Sequence, residues 1–283
     1  MNEICVGYLF RAQDGEEAAE RFFQSYRKFK PGLDHDFLVI GKGFKADSQL
    51  DRILNMVVDL KPHVLRMSDR GFDLRGYRLA ARRYQNYSHF CFFNSFSEIL
   101  AHDWLAKMYS QLSKPGIGLV GATGSWESMY SNVQIQRAAE SDSTLLSRFW
   151  TPIRLRLCQV SFHPFPNYHI RTNAFMIARE LLLKVWPRFI ITKRGAYLFE
   201  NGKNSLTNRI ARLGLQSLVV GRDGKAHAKE VWDESRTYRQ GGQENLLVAD
   251  NQTRRYETGS ADARKFLSEV AWGTQRETIR NHP

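Results

Sequence analysis

Four short apolar runs in the first hundred residues each end on residues that could hold an anion. Arg11 follows Ile4–Phe10, Lys42 follows Phe37–Gly41, Asp69 and Arg70 follow His63–Met67, and Asn94-Ser95-Phe96-Ser97 follows His89–Phe93. Ligands of open α/β sheets gather at the carboxyl ends of the strands, and charge-assisted contacts to phosphate are roughly twice as strong as neutral ones. Cations at three of these four ends suit a diphosphate, while solvated loop charge is the ordinary role of any one of them. Further along, His169, Arg171 and Asn173 alternate with Ile170, Thr172 and Ala174, which sets three polar residues on one strand face. Burying them unpaired is costly, so that face meets either solvent or a ligand. Near the end, His227, Trp232, Arg236 and Arg239 belong to a stretch that interleaves aromatic rings with guanidinium groups, able to stack on a ring and clamp a phosphate, or simply to cover a core.

The elements that must position these residues follow from periodicity. Glu16–Phe29 places Ala19, Phe22, Phe23, Tyr26 and Phe29 on one helical face, with acids in its first turn and Arg27 and Lys28 in its last. Helices are also predicted around Leu50–Val57, Leu74–Tyr84 and Trp104–Leu112, so strands alternate with helices, the pattern of a parallel α/β sheet. After Pro115-Gly116 come a strand at Ile117–Ala122, a Gly/Ser-rich bend at Gly121–Ser125 and a helix around Ser143–Leu157. A longer strand at Tyr168–Ile177, helices at Arg179–Trp186 and about Asn204–Leu213, and a strand at Leu215–Val220 follow. From Gly221 the chain is polar until a last helix at Ala261–Trp272, and it reads as a tail wrapped on the core. The bend at Gly121-Ala122-Thr123-Gly124-Ser125 lacks both the P-loop lysine and the GxGxxG spacing, so a tight turn is favoured over a phosphate loop.

Composition narrows the class. With 283 residues and 42% hydrophobic content, the chain can bury a sizeable core and is neither disordered nor a coiled-coil rod. No apolar run is long enough to span a bilayer, no secretion signal is evident, and Cys5, Cys91 and Cys158 form no CxxC pair. A cytoplasmic protein without disulfides or structural zinc is expected. The net charge of +12 points to polyanionic surroundings: nucleic acid, an anionic membrane or a phosphorylated ligand.

The segment SDRGFDLRGYRLAARRYQNYSHFCFFNSFSEILAHDWL, residues 68–105, resembles the central stretch of GT-A-fold glycosyltransferases, particularly the family-2-like bacterial enzymes that build surface polysaccharides. In those enzymes a Gly-containing turn and a helix precede an apolar strand that ends in a DxD motif. The resemblance extends weakly over residues 3–220. It implies an α/β, GT-A-like (Rossmann-like) fold with a mixed, mostly parallel sheet flanked by helices, and a C-terminal tail and helix. A transferase domain at 1–225 would divide into a nucleotide-sugar half, 1–113, and an acceptor half, 114–225, with a C-terminal extension at 226–283 packed on the core. The donor would lie against Arg11, Lys42, Asp69, Arg70, Arg75, Asn94, Ser95 and Ser97. His169, Arg171, Asn173, His227, Trp232, Arg236 and Arg239 would serve the acceptor or the diphosphate. YLFENGKNSLTNRIARLGL, residues 197–215, resembles the acidic turn and helix that provide the general base, which makes Glu200 the candidate catalytic carboxylate; capping a helix is its competing role.

The chain departs from the family where the DxD acids would stand. The family holds a divalent cation, Mn2+ or Mg2+, against the donor diphosphate with carboxylates, whereas Asn94-Ser95-Phe96-Ser97 offers only neutral oxygens, poor ligands for such ions. No metal ligand is predicted there. Either cationic side chains stabilise the departing diphosphate or the fold binds without turnover. The expected activity is transfer of a sugar from a nucleotide-diphosphate donor to a hydroxyl of a glycan or lipid-linked acceptor. Arg75, Arg78 and Arg82 form a stripe suited to anionic lipid at the inner face of the membrane, or to plain solvation. The alternatives are a degenerate GT-A-fold protein that binds glycan or nucleotide and, less favoured, a nucleic-acid-binding protein.

Overall fold

The computed structural model describes residues 2–69, 73–139, 155–187 and 192–273. Its first strand, β1 (Ile4–Arg11), is buried along all but its last residue, and α1 (Glu16–Lys28) packs its aromatic stripe against it, with the Tyr8 and Phe22 rings stacked 3.9 Å apart. The acids at the start of α1 and the cations at its end complement the helix dipole. β2 (Asp36–Lys42), α2 (Asp47–Asn55), β3 (His63–Met67), α3 (Asp73–Arg83) and β4 (His89–Phe93) continue the expected alternation. Beyond a short β5 (Glu98–Ile99) come α4 (Trp104–Leu112), β6 (Ile117–Gly121), β7 (Gly124–Ser125) and α5 (Met129–Ala139).

The second half contains β8 (His169–Ile170), β9 (Ala174–Ala178), α6 (Arg179–Val185), α7 (Lys193–Asn201), α8 (Leu206–Ala211) and β10 (Gln216–Val220). β11 (Ala226–His227), β12 (Val248–Ala249), α9 (Asn251–Glu257) and α10 (Ala261–Trp272) complete the described chain. The main sheet has eight strands in the order β11-β10-β6-β9-β4-β1-β2-β3. β3, β2, β1 and β4 are parallel, as are β6 and β10, and β9 runs antiparallel between the two sets. This is the mixed, mostly parallel α/β sheet flanked by helices that is expected from the sequence.

Strand alternation divides the core into two layers. Phe90 and Phe92 of β4 face the layer built with Leu74 and Tyr77 of α3 and Leu182 of α6, while Cys91 and Phe93 face Phe22, Trp104 and Leu105. Each fully buried Phe or Leu contributes about 1.5–3 kcal/mol. Residues beyond Gly221 share these layers: Trp232, Tyr238 and Trp272 are 0%, 2% and 3% exposed, β11 pairs with β10, and β12 pairs with β5.

One expectation changes. The single strand predicted over Tyr168–Ile177 is two strands, because β8 pairs with β7 in a separate ribbon while β9 enters the main sheet between β4 and β6. The residues between them turn the chain from one sheet to the other. The helix expected around Ser143–Leu157 falls mostly outside the described residues, which show helix at 129–139 and at 155–161. The Gly121–Ser125 bend is packed rather than open: a Cβ on Gly121 would lie 2.3 Å from Ile170, and one on Gly124 would lie 2.7 Å from the Trp232 ring.

Candidate active site

The turn after β4 is held by its own side chains. Asn94 donates its N–H to the Asn173 carbonyl at 3.0 Å, and its Oδ1 accepts from the Phe96 N–H at 3.1 Å and from Ser97 Oγ at 3.0 Å. Ser97 Oγ also lies 2.8 Å from the Asn173 carbonyl. Ser95 Oγ accepts from the Arg11 N–H and donates to the Leu9 carbonyl, both at 3.2 Å, and the Tyr8 hydroxyl donates to the Ser95 carbonyl. Asn94 Oδ1 and both serine hydroxyls are therefore engaged in knitting β1, β4 and β9 together.

Beside this turn, at the carboxyl ends of β4 and β6 and the start of the antiparallel β9, opens a cleft of about 800 Å³. It brings together six residues singled out from the sequence: Asn94, His169, Arg171, Asn173, Glu200 and Arg239. It also contains residues that sequence reasoning missed, among them Glu127, Asn132, Asn201, Asp250 and Gln252. Asp250 carries a legible local signal, since Asp250-Asn251-Gln252-Thr253 is a helix-capping pattern, and the structure shows the capping box at α9. Nothing local marks Glu127.

Arg171 and Asp250 form a buried ion pair, Nη2 to Oδ2 at 2.6 Å, with side chains 15% and 1% exposed. Burial opposes the charge on both. Arg171 and the Thr253 and Gln252 N–H groups outweigh that opposition at Asp250, holding its carboxyl below its usual range, and Asp250 in turn keeps Arg171 charged. The Arg171 guanidinium lies over the Tyr238 ring at 4.3 Å, and that of Arg239 lies over the same ring at 4.8 Å. Arg239 is 5% exposed, stands 3.8 Å from Glu127 and donates to Gln252 Oε1 at 3.1 Å. Its φ of +50° is the left-handed region that non-glycine residues occupy only where surrounding contacts impose it.

His169 donates from Nδ1 to the Asn167 carbonyl at 2.9 Å, because a carbonyl can only accept; Nε2 then carries the lone pair. Burial depresses its pKa to about 4, leaving a neutral imidazole at neutral pH. Glu200 sits in the last turn of α7, not in the turn beyond it, and its Oε1 accepts from the Thr172 hydroxyl at 2.6 Å. The chain thus brings Glu200 and a neutral imidazole to one cleft.

The other sequence candidates lie elsewhere. Lys42 is buried, with its Nζ 3.6 Å from Asp69, an exposed residue. Arg11 ends β1, and Arg75 is exposed on α3. Ser95 and Ser97 are buried within the β4 turn. Trp232 is fully buried, donating its indole N–H to the His227 carbonyl, and so is a core residue rather than an exposed platform. His227 belongs to the edge strand β11, and Arg236 is exposed at a positive φ. Arg70 lies outside the described residues.

The divalent cation that the resemblance implies does not fit the donor set at the β4 turn. The oxygens there are neutral and already bonded, and Glu98, next in sequence, is engaged by Arg254 at 3.2 Å. Among the described residues no three His, Cys, Asp or Glu side chains are grouped to hold a metal ion.

No protein-family model matches the chain, and no curated protein matches it. Solved structures do. A mannosyltransferase from Pyrobaculum calidifontis in complex with GDP-Man and Mn2+ is similar over 95% of this chain and 68% of its own, at 14% identity and a TM-score of 0.46. Mouse xyloside xylosyltransferase 1 is similar over 73% and 79%, at 9% identity and a TM-score of 0.39. Glucosyl-3-phosphoglycerate synthase from Mycobacterium tuberculosis, with Mg2+ and uridine diphosphate, is similar over 62% and 56%, at 14% identity and a TM-score of 0.34. No helix among the described residues is long and apolar enough to cross a membrane.

Proposed function

We propose that this protein is a glycosyltransferase that moves a sugar from a nucleotide-diphosphate donor to a hydroxyl of a glycan or lipid-linked acceptor, in surface-polysaccharide synthesis at the inner face of a membrane. The observation that carries this reading is the cleft at the carboxyl ends of β4 and β6, where the Glu200 carboxylate is set among amide, imidazole and aromatic side chains. Residues 1–113 would hold the donor through Arg11, Lys42, Asp69, Arg70 and Arg75, with Asn94, Ser95 and Ser97 shaping the turn beneath it. Residues 114–225 would hold the acceptor, and the 226–283 extension would close the cleft with Tyr238, Arg239 and Asp250.

In this scheme Glu200 takes the proton from the acceptor hydroxyl as its oxygen bonds to the anomeric carbon. The bond from that carbon to the donor's phosphate oxygen breaks, and the diphosphate leaves with the electron pair. The Thr172 hydroxyl orients the carboxylate by donating to Oε1. No step is assigned to a divalent cation.

Incubation with a panel of nucleotide sugars, with and without Mn2+, is expected to release nucleoside diphosphate by transfer or hydrolysis. Glu200→Gln should then lower turnover about 10²- to 10⁴-fold with donor affinity nearly unchanged; unchanged turnover removes Glu200 from the mechanism. The acid-free β4 turn favours one rival, a fold that binds glycan or nucleotide without turnover. Any transfer in the panel excludes it. A nucleic-acid-binding protein would instead show affinity that collapses steeply with salt.

A further inference from the structure

We infer that the face built by the helix at 155–161, the start of α7 and the turn that follows α7 docks on a bilayer bearing anionic phospholipid, with Leu157 and Val160 entering the acyl boundary and Arg156, Arg194, Lys203 and Arg212 meeting the lipid phosphates. The inference deepens the transferase reading by naming the surface turned to the membrane, and it rests on that reading only for the purpose of docking. Positive charge in this chain is concentrated. Residues 143–222 contain thirteen Lys and Arg against two acids, Glu180 and Glu200, a net +11 of the chain's +12. Glu200 lines the cleft, and Glu180 is in the first turn of α6. The structure gathers part of this excess on one face. Arg194 Nη2 donates to Ser161 Oγ at 3.3 Å, Lys203 Nζ to the Gln159 carbonyl at 2.7 Å, and Arg212 Nη2 to the Lys203 carbonyl at 2.7 Å. These partners are neutral, and among the described residues none of the four cations is paired with a carboxylate. Nearby His163 registers the field: burial lowers its pKa, and the Lys203 and Arg212 charges lower it further.

Apolar surface lies among these cations. The helix at 155–161 is fixed to the body of the protein on its inner side, where the buried Phe162 ring meets that of Tyr197 at 5.6 Å and the Lys203 N–H donates to the Ser161 carbonyl at 2.9 Å. On its outer side Leu157 and Val160, three residues apart and so neighbours on the helix surface, are 47% and 70% exposed. A hollow of about 280 Å³ lies between them, Arg156, Ser161 and Arg194. Exposed aliphatic side chains flanked by arginines are the make-up of a helix that lies in the plane of a membrane interface. A face for single-stranded nucleic acid would instead present aromatic rings to stack on bases. The arginine stripe on α3 lacks the apolar component, since among the described residues of α3 no large apolar side chain is exposed, and Arg75 and Arg78 already interact with other residues.

The test is co-sedimentation of the full chain with phosphatidylcholine vesicles, with and without about 30% phosphatidylglycerol. The anionic vesicles should bind at least about 10-fold more tightly, and that binding should weaken as salt is added. Each cation at such a surface changes binding roughly five-fold, so Arg156→Gln, Arg194→Gln and Arg212→Gln together should lower it about 10²-fold. Val160→Gln should lower it about 3- to 10-fold by removing an inserted side chain. All four side chains are exposed, so these variants should fold as the parent does. Arg82→Gln with Arg83→Gln, exposed on α3, should change binding less than about three-fold. The proposal is overturned if the anionic vesicles do not bind, if the α3 pair matters as much as the three arginines, or if Val160→Gln binds as well as the parent. It is also overturned if a single-stranded oligonucleotide binds more tightly than the vesicles and through the same three arginines. Vesicle binding with no turnover of any nucleotide sugar upholds the docking face and ends the transferase reading. Sugar transfer to a soluble acceptor by a chain that ignores the vesicles overturns the face and leaves transfer standing.

Discussion

The β4 turn and the cleft beside it are a few residues apart and treat their polar atoms in opposite ways. At the turn, Asn94, Ser95 and Ser97 spend their side-chain oxygens on backbone groups of β1, β9 and the turn itself. In the cleft, Asn132, Asn173, Asn201 and Arg239 each keep one buried polar atom without a partner. The first pattern belongs to scaffold, whose bonds are complete in the folded chain. The second leaves polar atoms without a partner behind the cleft wall, so residue type alone does not separate the two: both sets contain asparagine.

Three substitutions or conditions can break or sharpen that contrast. Asp250→Ala should have the largest effect. It leaves the Arg171 guanidinium buried and uncompensated and uncaps α9, so stability measured by denaturant unfolding should fall by about 3–5 kcal/mol. A loss under about 1 kcal/mol would show that water reaches Arg171 and that the cleft wall is not built on this pair.

The second test is pH. His169 is neutral when folded, with a pKa of about 4, and ordinary when unfolded. Between about pH 6.5 and pH 4 the unfolded chain takes up a proton that the folded chain refuses, so stability should drop as pH falls through this window, by up to about 3 kcal/mol, and be level above it. Burial also lowers the pKa of His35, His89, His163 and His227, so the slope specific to His169 is the part removed in His169→Gln. An identical slope in that variant would mean that His169 is solvated and open to the cleft. The smallest effect is expected at the turn. Ser95→Ala removes the bridge between the Arg11 N–H and the Leu9 carbonyl and should cost about 1–2 kcal/mol in thermal or chemical unfolding. No measurable loss would show that water takes the place of the Ser95 hydroxyl and that the turn is not scaffold.

Much of the architecture was legible in the chain. The last helix occupies Ala261–Trp272 as its periodicity predicts, and the alternation of β1 to β4 with α1 to α3 follows the apolar spacing. The split of Tyr168–Ile177 was not, because the alternation of His169, Arg171 and Asn173 is the same whether one strand or two carry it, and only pairing with β7, β4 and β6 distinguishes them. Trp232 misleads for a related reason. An indole in a polar stretch has the composition of a ligand platform, and only the approach of Gly124 to its ring shows it to be core. Glu200 was singled out through a resemblance of residues 197–215, whereas nothing local links it to Thr172, 28 residues earlier, whose hydroxyl donates to it.

The amino-acid order by itself determined the elements, their inward faces and the polar character of the strand ends, because these depend on side-chain spacing over a few residues, where backbone geometry is regular. Only the tertiary structure decided which polar groups share a cleft and which of them are left unsatisfied. Arg171 meets Asp250 across 79 residues, and Asn132, Asn173, Asn201 and Arg239 come from separate segments of the second half and tail. Hydrogen-bond satisfaction is a property of neighbours in space, and strand order and the path of the tail choose those neighbours.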